Sequence, residues 1–304
     1  MSHPKRFAAI GECLIEMSHQ DEQHCRIGYA GDTYNVAVYC ARSSGSETLT
    51  VDYISAVGDD PYSKAMLQAW QNEGIHADFV RRLKGRMPGL YFIRTDGSGE
   101  REFYYYRSES AARDMFKSEQ GADLLKRLSE FDYLYFSGIS IAILDEKSRQ
   151  QFFAALQLAQ KKQTMICFDS NYRERLWSSV EEAREVMARF LSTVDIALLS
   201  FDDEQALFGE DTPELIAERA HQAGVPEVVV KRGGQGYFLS TPDFTEWVPI
   251  TPLEKVVDAT AAGDSFNGAY LAARIQGLDS KRAGELGSEM TARVIQFPGA
   301  IIPK

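Results

Sequence analysis

Seven short apolar runs, separated mostly by amphipathic stretches of helical spacing, constrain the fold of this chain more than any other feature. The runs are residues 7–10, 51–57, 133–139, 165–168, 194–199, 228–230 and 237–239. They read as strands apolar on both faces, which belong in a parallel-dominated sheet covered on each side. The stretches at 61–72, 147–161, 180–191 and 213–223 supply that cover as helices. The predicted class is therefore α/β, a mostly parallel sheet sandwiched by helices.

Two regions break the alternation. Residues 14–29 and 89–107 lack helical periodicity and carry strand-forming aromatics, notably Leu90-Tyr91-Phe92-Ile93 and Phe103-Tyr104-Tyr105-Tyr106. Asp96-Gly97-Ser98-Gly99 between those two runs is a turn signal, so they read as a hairpin. A small antiparallel sheet beside the main one is the simplest account. Its aromatic residues need cover from a ligand, from the main sheet or from another subunit.

With 304 residues, 44% of them hydrophobic, the chain can bury a sizeable core within the size that single α/β domains reach. No fixed-period repeat, low-complexity tract or linker divides it, and residues 1–304 read as a single domain. No stretch approaches the roughly 20 apolar residues of a membrane helix. Lys5 and Arg6 precede an apolar run that Gly11 and Glu12 cut short, which reads as a first strand and not an export signal. Cys13, Cys25, Cys40 and Cys167 form no C-x-x-C pair, so the expected home is the reducing cytoplasm. A formal charge of −11 argues against nucleic acid as partner. It also means that any anionic ligand must be met by locally placed Arg or Lys.

The stretch from Val256 to Tyr270 carries the chemistry: small residues and a glycine, then a helix from Asp264 to about Gln276. Small side chains leave the amides of Ala261, Ala262 and Gly263 bare at a helix start, where the macrodipole adds positive potential. That is an anion site suited to phosphoryl oxygens. Asp264 lies beside it, expected to be ionised at neutral pH and able to take a hydroxyl proton. On spacing alone Asp264 is as readily a helix cap.

Asp258-x-x-Ala261-Ala262-Gly263-Asp264, followed by Phe266-x-Gly268-Ala269, resembles the C-terminal signature of the ribokinase-like (PfkB-type) carbohydrate kinases. The resemblance extends to Gly11-Glu12, Ala30-Gly31-Asp32-Thr33-Tyr34-Asn35 and Ala56-Val57-Gly58-Asp59-Asp60. It continues through Phe168-Asp169-Ser170-Asn171-Tyr172-Arg173 and Lys231-Arg232-Gly233-Gly234-x-Gly236, all in the family's order. It implies a Rossmann-like, ribokinase-like sheet with a small β lid drawn from about 12–34 and 86–108. It also implies transfer of phosphate from ATP, with Mg2+, to a sugar hydroxyl, with Asp264 as base. ATP is then expected along Asn171, Ser200, Lys231, Gly233, Gly234, Gly236 and Gly263. Gly-Gly after a strand is, taken alone, an ordinary turn. The family's Asn-x-x-Glu motif is altered here to Ser200-Phe201-Asp202-Asp203-Glu204, leaving open which acid serves and whether these residues only begin a helix. No metal ligand is assigned.

Within the family, the chain is most similar to members acting on 2-dehydro-3-deoxygluconate. That likeness places Gly31, Asp32 and Asn35 against the sugar, Tyr91, Tyr106 and Arg107 over it from the lid, and Arg173 opposite. Arg suits a sugar acid because it binds carboxylates through paired charge-assisted hydrogen bonds. On their own residues, Arg107 reads as a strand-end charge, Arg173 as an ion pair with Asp169 or Glu174, and the tyrosines as cross-strand pairs. Alternation lets only one face of the 104–106 run meet a ligand, and Tyr106 is expected to be on it. The family's lid often packs on a second subunit, so a homo-oligomer through the lid is expected. The rival readings are a fructokinase- or ribokinase-type kinase of a neutral sugar and a sugar-binding protein without catalysis. A P-loop and a protein kinase are excluded, since G-x-x-x-x-G-K-[ST], H-R-D and D-F-G are missing, and the absence of G-x-G-x-x-G after the first strand counts against a Rossmann dehydrogenase. His19 and His24 read as loop residues, and Met66 and Trp70 as core.

Overall fold

The computed structural model describes residues 3–45, 47–95, 101–251, 253 and 255–304. In its first part, β1 (Lys5–Ile10), β2 (Leu14–His19) and β3 (Cys25–Ala30) precede α1 (Asp32–Arg42) and β4 (Leu49–Val57). Next come α2 (Pro61–Asn72), the short β5 (Ile75–His76) and β6 (Val80–Arg82), then β7 (Leu90–Thr95) and β8 (Arg101–Tyr106). The middle runs α3 (Ser118–Lys126), β9 (Tyr133–Ser137), α4 (Gly138–Ala142), α5 (Glu146–Lys161), β10 (Met165–Asp169) and α6 (Val180–Leu191). It continues with β11 (Ile196–Ser200), α7 (Phe201–Phe208), α8 (Pro213–Gln222) and β12 (Glu227–Lys231). The chain closes with β13 (Gly236–Ser240), β14 (Thr245–Pro249), α9 (Ala262–Ile275) and α10 (Ser280–Val294).

Local chemistry accounts for several boundaries. The Asp60 side chain accepts from the amides of Tyr62 at 2.9 Å and Ser63 at 3.0 Å, and Pro61 fills the first helical position of α2. Thr212 and Pro213 start α8 in the same way. Met66 and Trp70 project from one face of α2 into the core and are fully buried.

The large sheet runs in the order β14-β13-β12-β11-β10-β9-β1-β4-β5, with β6 also pairing β4. From β12 to β5 every pairing is parallel. Only β13 and β14 add antiparallel at one edge, and β14 carries no apolar run long enough to announce it. Chain order reverses between β1 and β9. At such a switch point the loops leaving the carboxyl ends of neighbouring strands diverge and open a crevice. The residues after β1, β9, β10, β11 and β12 all stand there. Two apolar clusters fill the two sides of the sheet, one around Phe116, Phe136, Phe152 and Phe190, the other around Tyr53, Trp70 and Tyr270.

On the second side α1 lies against α9. Gly268 permits the approach, since a Cβ there would stand 2.7 Å from Tyr39 Cβ and 2.8 Å from the Val36 carbonyl. The four-stranded second sheet, order β3-β2-β7-β8, forms the lid. Its β2 and β7 are parallel, whereas the expectation was an all-antiparallel sheet. The β7–β8 hairpin pairs Thr95 with Arg101, and the expected turn at 96–99 lies outside the described residues.

Candidate active site

The crevice between the lid and the strand ends is a cleft of about 1000 Å³. Helix α9 points its N-terminus into it. The helix starts at Ala262, not at Asp264, and no side chain caps it. Asp264 therefore sits in the first turn, and it is not the cap. The amide of Ala262 is already used, donating to the Ala259 carbonyl at 3.1 Å. Ala261 is buried in a cluster with Leu14, Tyr91, Ile93 and Ala300 beneath the lid. Among the described residues, the amides of Ala261, Gly263 and Asp264 meet no protein acceptor. The expected trio of donors is thus corrected: Gly263 and Asp264 face the cleft, Ala262 is spent, and Ala261 lies behind.

Asp264 lines the cleft, and its Oδ2 accepts from Asn35 Nδ2 at 2.7 Å. Burial, with the negative charge of Asp32 next and that of Asp169 adding to it, pushes its carboxyl up to about 7. The Asn35 hydrogen bond and the Lys231 charge oppose that rise. The expectation of a fully ionised carboxylate at neutral pH is therefore replaced by one near half protonation. That is where a base balances availability against proton affinity. Asn35 is held in turn by its own helix start, its Oδ1 accepting from the Gly31 amide at 3.3 Å. Gly31 admits no side chain, for a Cβ would lie 2.3 Å from the Glu12 carbonyl.

Beneath Asp264 runs a buried polar network. Asp32 Oδ2 accepts from the Ser137 hydroxyl and from Asn171 Nδ2, the latter at 3.0 Å. Burial raises the Asp32 carboxyl, while Ser137 lowers it. Lys231 Nζ donates to Asp169 Oδ2 and Asn267 Oδ1, both at 2.9 Å. A Cβ on Gly263 would lie 3.6 Å from that ammonium, so Lys231 stands at the mouth of the helix. Gly233, Gly234, Gly236 and Ser200 line the same cleft.

The lid differs from expectation by one residue. Strand register pairs Tyr91 with Tyr105 and Leu90 with Tyr106, so Tyr105 shares the cleft face with Tyr91 and Phe103. Tyr106 projects from the opposite face, 65% exposed, against Phe92. Arg107 does line the cleft, but it is ion-paired with the buried carboxylate of Glu12. Its Nε and Glu12 Oε1 are buried without partners among the described residues. Arg173 pairs with Asp203 at 3.2 Å, not with Asp169 or Glu174. Asp202 and Asp203 face the cleft as the first turn of α7, whereas Glu204 turns inward to Arg219. Burial lifts Asp203 to about 6 and Glu204 to about 7.

A buried carboxyl, unpaired amides and a lysine thus converge at one helix start under a lid. Residues 5–304 match the pfkB family carbohydrate kinases. The chain belongs to that family. A 2-dehydro-3-deoxygluconokinase of Escherichia coli (strain K12) is 45% identical over 303 residues, 99% of this chain and 98% of that protein. The crystal structure of a 2-dehydro-3-deoxygluconokinase from Thermotoga maritima superposes with a TM-score of 0.85 at 21% identity, covering 98% of this chain and 96% of that one. A fructokinase from Vibrio cholerae O395, in its fructose, ADP and calcium ion bound form, gives 0.82 at 25% identity, covering 97% and 94%.

Several residues of this pfkB site carried too little signal to be chosen from sequence. Tyr105 was visible, but strand parity was not. Glu12 was legible only as half of a motif. Asp169 and Asn267 sit inside recognised blocks, yet their clamp on Lys231 joins residues 36 and 62 positions from it.

Proposed function

We propose that the chain transfers the γ-phosphoryl group of ATP to the 6-hydroxyl of 2-dehydro-3-deoxy-D-gluconate. The observation that carries this reading is Asp264, tuned to about 7 and placed between Asn35 and the unpaired amides of Gly263 and Asp264. The sugar oxygen attacks the γ-phosphorus while its proton passes to the Asp264 carboxylate. The bond from that phosphorus to the β,γ-bridging oxygen breaks, and its electron pair leaves with ADP. The amides and the Lys231 ammonium neutralise charge on the phosphoryl group in flight. Mg2+, bound with ATP, would supply further neutralisation of the phosphates. Among the described residues no group of three or more His, Cys, Asp or Glu side chains forms a metal cage. The donor set therefore fits an ion carried by the triphosphate and water, with Asp202 and Asp203 nearby.

On the sugar side, Gly31, Asp32 and Asn35 offer hydrogen bonds from the floor, and Tyr91 and Tyr105 close from above. The unpartnered Arg107 Nε and the half-exposed Arg173 guanidinium are the cationic donors for the sugar carboxylate. The high identity to a 2-dehydro-3-deoxygluconokinase supports this substrate over a neutral sugar. The test is ADP release with purified protein and a panel of 2-dehydro-3-deoxygluconate, fructose and ribose. Fastest turnover with the sugar acid is expected, and a neutral sugar in first place removes the assignment.

The same reading includes a second copy of the chain on the outer lid face. Ile27, Tyr104 and Tyr106, on the face away from the cleft, are 49%, 47% and 65% exposed, and Met17 and Phe92 lie between them. An aromatic face of that kind is costly to leave in water.

A further inference from the structure

An ion pair joins the edge of the lid to the turn before α9. Arg101 opens β8, the edge strand of the lid, and its Nη1 pairs with Asp258 Oδ2 on the main body. The Asp258 carboxylate is buried and serves three other donors. Oδ1 accepts from the Thr260 amide at 3.0 Å and the Thr260 hydroxyl at 2.5 Å, and Oδ2 also accepts from the Gly299 amide at 2.5 Å. It therefore shapes the turn that runs directly into Ala261 and the start of α9. Ala261 itself packs against Tyr91 and Ile93 of the lid, with Phe103 alongside.

We propose that Arg101 is a positioning residue for phosphoryl transfer, joining lid closure to assembly of the amide site through Asp258. Its side chain does not line the cleft. With the lid down, its guanidinium completes the shell of a buried carboxylate, and the 258–262 turn holds its amides at the cleft. With the lid raised, that carboxylate lacks one charged donor and the turn loosens. The amide site is then fully formed only when the lid has also shut water out, so that phosphate is not spent on hydrolysis. The inference rests on the kinase reading above but not on which sugar is used.

Two variants, Arg101→Gln and Arg101→Lys, test it in the full chain. Hydrogen exchange followed by mass spectrometry on the protein without substrates reads the turn directly. Arg101→Gln is expected to speed exchange of peptides covering 258–263 by about tenfold, the scale of one lost charge-assisted hydrogen bond, with exchange in β10 and β12 unchanged. In turnover with ATP and the preferred sugar, it lowers kcat about tenfold or more and raises ADP formed per sugar phosphate, while the Kd for ATP stays as in the wild type. Arg101→Lys restores a good part of kcat and of coupling. Unchanged exchange at 258–263 together with unchanged kcat and coupling overturns the proposal. So does uniform acceleration of exchange across the chain, the mark of plain destabilisation. If no sugar is turned over at all, the exchange result still decides the role of Arg101, and the failure falls on the kinase reading alone.

Discussion

Replacing Asp264 by Asn should destroy activity and stabilise the protein, and the second effect can be sized from the structure. The carboxyl rises from 3.8 to about 7, because burial and the neighbouring charges of Asp32 and Asp169 disfavour its ionised form. At 1.36 kcal/mol per pKa unit, ionising it in the folded protein costs about 4 kcal/mol more than in the unfolded chain. Asp264 is only part-buried and water enters the open cleft, so screening brings this nearer ~2 kcal/mol. The sign follows from proton binding. Between about 4 and 7 the folded state holds the proton more tightly, so wild-type stability falls as pH rises through that window. The Asn variant keeps an acceptor for Asn35 Nδ2 and carries no charge. It should match the wild type near pH 4 and exceed its Tm by about 2–4 °C near pH 8.5. Thermal melts of both proteins across that range are the assay, alongside kcat for the preferred sugar. Loss of about 10²–10⁴ in kcat is expected, with ATP still bound. A difference in Tm that does not grow with pH refutes the charge argument, and near-normal turnover refutes the base.

Arg107→Ala and Arg173→Ala should each weaken sugar-acid binding by about tenfold or more while leaving ATP binding little changed; calorimetry with equal losses for both ligands would remove carboxylate recognition. Tyr105→Ala should raise the sugar KM several-fold, whereas Tyr106→Ala should leave it unaltered and shift sedimentation toward smaller species. The opposite pattern would mean that the strand register is wrong. Gly268→Val should force α9 from α1, costing about 2–4 kcal/mol in urea unfolding and separating Asn35 from Asp264; wild-type stability there would show that the helix contact is slack.

Much of this site was named before any coordinates because its blocks resemble those of the pfkB family in order, while period and turn signals placed the elements that carry them. The runs at 165–168, 194–199 and 228–230 became β10, β11 and β12, and the segments after them became the cleft wall. Helix limits at 61–72 and 180–191 match α2 and α6, since proline, cap residues and apolar spacing are all local signals. Where the reading slipped, the deciding quantity was not local. Tyr104, Tyr105 and Tyr106 are chemically alike, and which one meets the cleft depends on pairing across β7. Arg173 found Asp203, thirty positions away, because two loops leave adjacent strand ends side by side.

Chain order and residue period by themselves determined a parallel sheet under helices, a small second sheet and a helix start rich in small residues. Those follow from backbone geometry and burial repeated over short windows. Tertiary packing alone decided that Glu12 meets Arg107, and that burial beside Asp32 and Asp169 raises the Asp264 carboxyl. Each of these depends on what stands a few ångströms away in space, and that neighbour comes from a distant part of the chain.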